Sequence, residues 1–215
     1  MKNAILFDLD GTIINTLEDL CCATNYALNK YGYKNITIDD TKRYIGNGNM
    51  MLIKRSVNFD LSHVNELYDE FIDYYKNNCD IYSYPYDGIH DLLIELKNNN
   101  IKLAVVTNKN GLIAQKIINK YFPNIFDLVI GDGMGFERKP KPDMINYVMK
   151  VFNINKDNII YIGDSEVDIE TANNINCDKI IVSYGFRDKN DLLKKCDDLC
   201  DSVSNLKNIL NSYLK

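Results

Sequence analysis

Ala4-Ile5-Leu6-Phe7-Asp8-Leu9-Asp10-Gly11-Thr12-Ile13 opens the chain with four apolar residues that run straight into two carboxylates. The apolar run is too short for a helix, and its isoleucine and phenylalanine suit a buried strand. Asp10-Gly11 has the chemistry of a turn. Short apolar runs of the same kind recur at residues 102–106, 126–130, 158–162 and 179–182, and helical patterning fills the spaces between them. That alternation predicts β-α units and an α/β fold with a doubly wound parallel sheet. The helices of this core are expected over 87–96, 111–121, 143–152, 167–173, 188–195 and 203–214. In the first, Ile89, Leu92, Leu93 and Leu96 share one face, and Asp87 stands where a helix cap is expected.

Residues 14–84 break the rhythm, because helical patterning continues there without a strand. Helices are expected over 17–31, 39–44, 49–57 and 63–77. Thr37, three residues before Asp40, has the spacing of a capping box. Gly46-Asn47-Gly48 forms a flexible loop before the third helix, and 82–86 leads back to the sheet. The domain reading is a core of residues 1–13 and 85–215 with an inserted α-helical cap domain at 14–84.

A chain of 215 residues accommodates that arrangement and buries a core without staples. Its six cysteines contain no C-x-x-C pair, and its two histidines do not stand at zinc-ligand spacing from them, so reduced cysteines are expected. No apolar run approaches the roughly 18 residues of a membrane helix, and the first residues lack the pattern of a signal peptide. A cytoplasmic protein with no membrane partner is the expectation. With 25 Lys+Arg against 30 Asp+Glu, the net charge of −5 disfavours nucleic acid as a partner. An anionic substrate then requires local positive groups or a bound cation.

Ligands of open parallel sheets bind beyond the carboxyl ends of the strands. Three such ends stand out here: Asp8-Leu9-Asp10-Gly11-Thr12, Thr107-Asn108, and Gly163-Asp164-Ser165-Glu166-Val167-Asp168. Two carboxylates at i and i+2 of an extended segment project to one side, and a third from another strand end makes an acidic cluster. A few hard oxygens with room for water and phosphate suit Mg²⁺. Taken singly, each piece has a plain reading: a turn at Asp10-Gly11, a strand-end hydroxyl at Thr107, a helix cap at Asp164, a solvated charge at Lys139. A calcium loop counted from Asp8 fails, since Ile13 and Asp19 stand where it needs glycine and glutamate.

In joint order, D-x-D-G-T, then T-N, then K-P, then G-D-S-x-x-D, the motifs resemble the haloacid dehalogenase superfamily of phosphatases. The resemblance covers the whole chain. Leu6 to Ile13, Tyr44-Ile-Gly-Asn-Gly48 and Arg138-Lys-Pro-Lys-Pro-Asp143 look in particular like its phosphoglycolate phosphatase group. Asn15 departs from the aspartate that many relatives carry just inside the cap. The resemblance implies a Rossmann-like core and a Mg²⁺-dependent phosphoric monoester hydrolase acting on a small phosphorylated metabolite. It makes Asp8 the nucleophile and Asp10 the acid and base. It gives metal binding to Asp8, Asp164, Asp168 and the backbone carbonyl of Asp10, and phosphate binding to Thr107, Asn108 and Lys139. Arg43, Gly46, Asn47 and Gly48 become the substrate-facing part of the cap. A small acid such as 2-phosphoglycolate is the expected substrate, with pyrophosphate and nucleoside monophosphates as competitors. A phosphosugar mutase of the same superfamily and a phospho-aspartate signalling receiver are the alternatives. The receiver conflicts with the long helical insertion.

Overall fold

In the computed structural model, which describes residues 2–214, the chain starts with β1 (Ala4–Phe7) and the two-residue β2 (Ile14–Asn15). Four helices follow: α1 (Leu17–Lys30), α2 (Ile38–Tyr44), α3 (Asn49–Ser56) and α4 (Val64–Asn78). After β3 (Tyr84–Pro85) come α5 (Ile89–Asn98), β4 (Lys102–Asn110), α6 (Gly111–Tyr121), β5 (Leu128–Asp132) and α7 (Asp143–Phe152). The chain ends with β6 (Ile159–Gly163), α8 (Glu166–Ile175), β7 (Asp178–Val182), α9 (Lys189–Leu193), β8 (Leu199–Cys200) and α10 (Val203–Leu214).

Six strands form one parallel sheet in the order β5-β4-β1-β6-β7-β8. The chain leaves β1 for β4 and β5 on one side and then returns to β6 on the other, so the switch point lies at β1. Register aligns Phe7 with both Val105 and Ile162, which brings the ends of β1, β4 and β6 to one rim. All four residues of β1 are fully buried, as expected of a strand covered on both faces. On one face Leu6, Ala104, Val106 and Tyr161 pack with Met144, Ile145 and Val148 of α7 and Ala172 and Ile175 of α8. Each such apolar side chain contributes about 1.5–3 kcal/mol on burial.

Some expectations shift. The strand expected over 126–130 lies at Leu128–Asp132, because the chain joins the sheet only where Leu128 meets Ala104. Before that point the Phe126 ring packs edge-on against Phe7 and Phe122, and the Asp127 carboxylate accepts the Leu103 N–H at 2.8 Å. Asp87 does not cap α5: the cap is Gly88, in a left-handed conformation that needs no side chain. The strand expected to stop at Val106 continues to Asn110 through a break in register, and β2, β3 and β8 were not anticipated.

The chain divides into two compact units, one holding residues through Asn15 and from Pro85 onward, the other Thr16–Tyr84. In the second, α1 packs on α4, with Leu20, Ala23, Ala27 and Leu28 buried on one helix and Leu67, Phe71 and Tyr75 on the other. Thr37 and Asp40 form the capping box of α2: Asp40 N–H donates to Thr37 Oγ1 at 3.1 Å and Thr37 N–H to Asp40 Oδ2 at 2.9 Å. The buried Asp19 of α1 accepts from Tyr82 N–H, Ser83 N–H and Ser83 Oγ at 3.0, 2.8 and 2.6 Å, tying the start of the unit to its exit. No described helix is long and apolar enough to cross a membrane.

Candidate active site

Asp8 is the first residue past β1, and its N–H still bonds to Ile162 O at 2.8 Å, so the strand fixes its backbone. The chain then turns sharply, with Leu9 O accepting from the N–H groups of Thr12, Ile13 and Ile14. Gly11 is essential to this turn on two counts: its φ is +83°, and a Cβ there would collide with the Asp164 carboxylate. Asp164 follows β6. Its Oδ2 accepts the Phe186 N–H at 2.6 Å, a bond from the loop after β7. Asp168 lies in the first turn of α8, where Ser165 N–H and Oγ donate to its Oδ2 at 3.1 and 2.6 Å. Gly163 admits that side chain, since a Cβ there would overlap it.

One oxygen each of Asp8, Asp164 and Asp168 lie within 4.8 Å of one another, and all three residues are buried. Lys139 enters this cluster from the loop before α7. Its Nζ donates to Asp168 Oδ1 at 2.8 Å and to the Tyr161 hydroxyl at 2.9 Å, and stands 2.9 Å from Asp8 Oδ1. The contact with Asp8 is an ion pair without hydrogen-bond alignment: Oδ1 is buried and has no hydrogen-bond partner among the described residues. Tyr161 OH in turn donates to Asp168 Oδ1 at 2.9 Å. Both oxygens of Asp168 are therefore engaged, and its charge serves to fix Lys139 and Ser165.

The electrostatics follow from burial. Desolvation pushes the Asp8 carboxyl up to about 6, against the pull of Lys139 and with the help of the Asp168 charge. Asp164 is pushed well above the usual carboxylate range by desolvation and by the Asp168 and Asp8 charges. Burial works against charge on Asp168 too, but Lys139 beside it holds its carboxyl below the ordinary value. Lys139 is raised despite desolvation, because Asp168 and Asp8 flank it. Two carboxyls short of compensating positive charge, and a buried Asp8 oxygen with no aligned donor, fit a hard cation bound among these oxygens.

Asp10 does not join the three-carboxylate group. Its Oδ1 accepts instead from Lys109 Nζ at 2.8 Å, a pair in which the lysine side chain is only 1% exposed. Lys109 belongs to the irregular end of β4, together with Thr107, whose Oγ1 accepts the Lys109 N–H at 3.2 Å. Asn108 makes a reciprocal clamp: Nδ2 donates to Lys139 O at 3.0 Å and Oδ1 accepts Lys139 N–H at 2.8 Å. The seven core residues named from the sequence thus gather at one rim. Lys109, Tyr161 and the Phe186 N–H were missed. A lysine directly after Thr107-Asn108 and a tyrosine in an otherwise aliphatic strand were the signals available.

The four residues named in the insertion lie together within the helical unit. Arg43 is mostly exposed and pairs with Asp40 of its own helix. Gly46 and Gly48 have positive φ, and Gly48 caps α3. Asn47 Oδ1 accepts from Arg55 at 2.7 Å, and Arg55 also donates to Tyr44 O at 2.6 Å, so the loop is braced from α3.

Residues 5–182 match the family described as haloacid dehalogenase-like hydrolase. A phosphoglycolate phosphatase of Colwellia psychrerythraea is 31% identical over 194 residues, which cover 86% of each chain. One from Psychrobacter arcticus is 34% identical over 196 residues, covering 86% of this chain and 85% of its own. The crystal structure of a predicted phosphoglycolate phosphatase from Haemophilus somnus has a TM-score of 0.90 at 28% identity, over 97% of this chain and 98% of that one. The resemblance drawn from the four motifs is borne out over most of the chain's length, and the protein is an enzyme of the haloacid dehalogenase-like hydrolase family.

Proposed function

We propose that this hydrolase cleaves small phosphate monoesters in two displacements, with Asp8 as the nucleophile and Asp10 as the proton carrier. The observation that carries this reading is the separation of two neighbouring aspartates: Asp8 faces Lys139 inside the acidic cluster, while Asp10 is held apart by Lys109. Splitting hydrolysis into two steps needs such a division between a charged nucleophile and a group that can give and take a proton.

In the proposed first step an Asp8 oxygen attacks phosphorus in line, and Asp10 protonates the departing oxygen. In the second, Asp10 takes a proton from water as the water attacks the aspartyl phosphate. Lys139 neutralises charge on the phosphoryl oxygens, the main electrostatic demand of phosphoryl transfer. Thr107 Oγ1 and the Asn108 backbone N–H contact the same oxygens, and the Asn108 side chain keeps Lys139 in place. Asp8, Asp164 and the backbone carbonyl of Asp10 would hold Mg²⁺, with Asp168 orienting the site. When bound, the ion offsets the crowded negative charge and orients the phosphate. The names of the relatives support 2-phosphoglycolate as the substrate. In the inserted unit, the Arg43–Gly48 loop is the proposed source of discrimination for the leaving group.

The test is to trap the intermediate. Asp10→Asn, mixed with a substrate whose leaving group departs unassisted and then quenched, should carry a phosphoryl group of about 80 Da on the peptide containing Asp8. Phosphate on another residue, or Asp8→Asn with activity within tenfold of wild type, would refute the mechanism. A metabolite panel in which nucleotides, pyrophosphate or phosphosugars outrun 2-phosphoglycolate would refute the substrate and leave the mechanism standing.

A further inference from the structure

The buried Lys109–Asp10 pair is the feature of the core unit that neither the fold nor the proposed chemistry of Asp8 requires. An ammonium buried to this extent, 1% exposed, gives up its hydration and most of its side-chain freedom. Replacing such a pair with apolar residues is often neutral or stabilising, so stability gives no reason for it. The backbone around Lys109 is nevertheless built to hold it. β4 departs from its register with β5 between Val106 and Asn110, a device that re-aims side chains near sites. Thr107 Oγ1 accepts the Lys109 N–H at 3.2 Å. Gly131 of the neighbouring strand leaves room for the Lys109 carbonyl, which a Cβ there would meet at 2.6 Å. At the end of this path the Lys109 ammonium donates to Asp10 Oδ1, 2.8 Å away.

We propose that Lys109 is a positioning residue for Asp10, fixing the direction in which that carboxylate faces the leaving oxygen and the attacking water. The inference rests on the acid and base role given to Asp10 above. In the first displacement the Asp8–phosphorus bond forms as the bond to the leaving oxygen breaks, and the Asp10 proton passes to that oxygen. In the second, a water oxygen bonds to phosphorus as the Asp8–phosphorus bond breaks, and Asp10 recovers one proton from the water. Both transfers use the same carboxylate at the same place, so a misaimed Asp10 slows each of them. Lys139 cannot supply this service, because its ammonium is committed to Asp8, Asp168 and Tyr161. Each catalytic aspartate thus has a lysine of its own.

Leaving groups separate this role from a structural one. An alkyl ester such as 2-phosphoglycolate needs a proton on its departing oxygen, whereas p-nitrophenolate departs without one. With Lys109→Met, which keeps length and loses charge, the single-turnover rate on 2-phosphoglycolate should fall by roughly 10–100-fold, part of the effect of a general acid. On p-nitrophenyl phosphate the single-turnover release should stay within about threefold, and a burst should precede a slowed steady state as phospho-enzyme accumulates. Lys109→Arg should recover part of the loss, and the Mg²⁺ concentration for half-activation should not move. Lys109→Gln serves the same comparison if the methionine variant does not fold. Equal losses on the two esters in the first step, or no loss on either, would overturn the proposal. Asp10→Asn measured alongside must show the same split; if it does not, the role of Asp10 fails, and the inference with it.

Discussion

Asp8→Asn should make the metal-free protein more stable at neutral pH while removing its activity. The folded protein raises the Asp8 carboxyl from 3.8 to about 6, chiefly by desolvation, and that net rise already includes the attraction of Lys139. At about 1.4 kcal/mol per pKa unit, the ionised carboxylate costs the fold on the order of 3 kcal/mol. The sign fixes the pH window. Between pH 3.8 and about 6 the folded state keeps a proton that the unfolded chain has lost, so stability falls as pH rises through this range and stays lower above it. Asparagine is nearly isosteric and carries no charge, so the variant lacks this loss. Urea melts of both proteins in chelator, from pH 4 to 7.5, should show a gap that is small at pH 4 and grows to about 2–3 kcal/mol at pH 7. In a chain of this size that gap corresponds to roughly 4–12 °C in Tm. Adding Mg²⁺ at pH 7 should stabilise the wild type and close much of the gap, since a ligand of the folded state stabilises by mass action. A gap that does not change with pH, or an asparagine variant less stable at pH 7, would refute this account of the acidic cluster.

Two further outcomes follow from the same network. Asp164→Ala should raise the Mg²⁺ concentration for half-activation on the order of tenfold or more, while chelated wild type and variant differ little in urea melts or the variant is the more stable. Tyr161→Phe removes a hydroxyl that accepts from Lys139 and donates to Asp168, so it should lower stability by about 1–3 kcal/mol in urea melts and reduce kcat with little change in KM.

The fold was legible because its signals are local. Ala4–Phe7 is apolar without interruption, as a strand buried on both faces must be, and α6, α7 and α10 occupy the very spans that their periodicity predicted. The failures share one cause, competition from tertiary contacts. Phe126 has the chemistry of a strand residue, yet its ring is needed against Phe7 and Phe122, and Asp127 spends its side chain on the Leu103 N–H. Asp87 has the chemistry of a cap, but Gly88 can turn the chain with a left-handed conformation and takes the position. β2, β3 and β8 have two residues each, too short for any pattern to register.

Site residues were legible where a motif put them at a strand end, and hidden where their partner came from elsewhere in the chain. Lys139 and Lys141 share one sequence context, but only the first is buried, because Asn108 clamps its backbone from β4 and two carboxylates and a tyrosine receive its ammonium. Lys109 is the sharper case. Taken alone, a lysine in a polar strand-end segment is a solvated charge, and composition offers no reason to bury it. What buries it is the break in the register of β4 together with a carboxylate 99 residues earlier in the chain, and neither is visible until the strands are paired. The acidic cluster shows the same dependence in reverse. Spacing alone placed Asp8 and Asp10 together as two ligands of one centre, whereas a lysine at the end of β4 and another in the loop before α7 draw the carboxylates into separate environments. The proposed chemistry, in which Asp8 stays charged and Asp10 exchanges protons, rests on that division, and the division is made by residues distant in sequence from both.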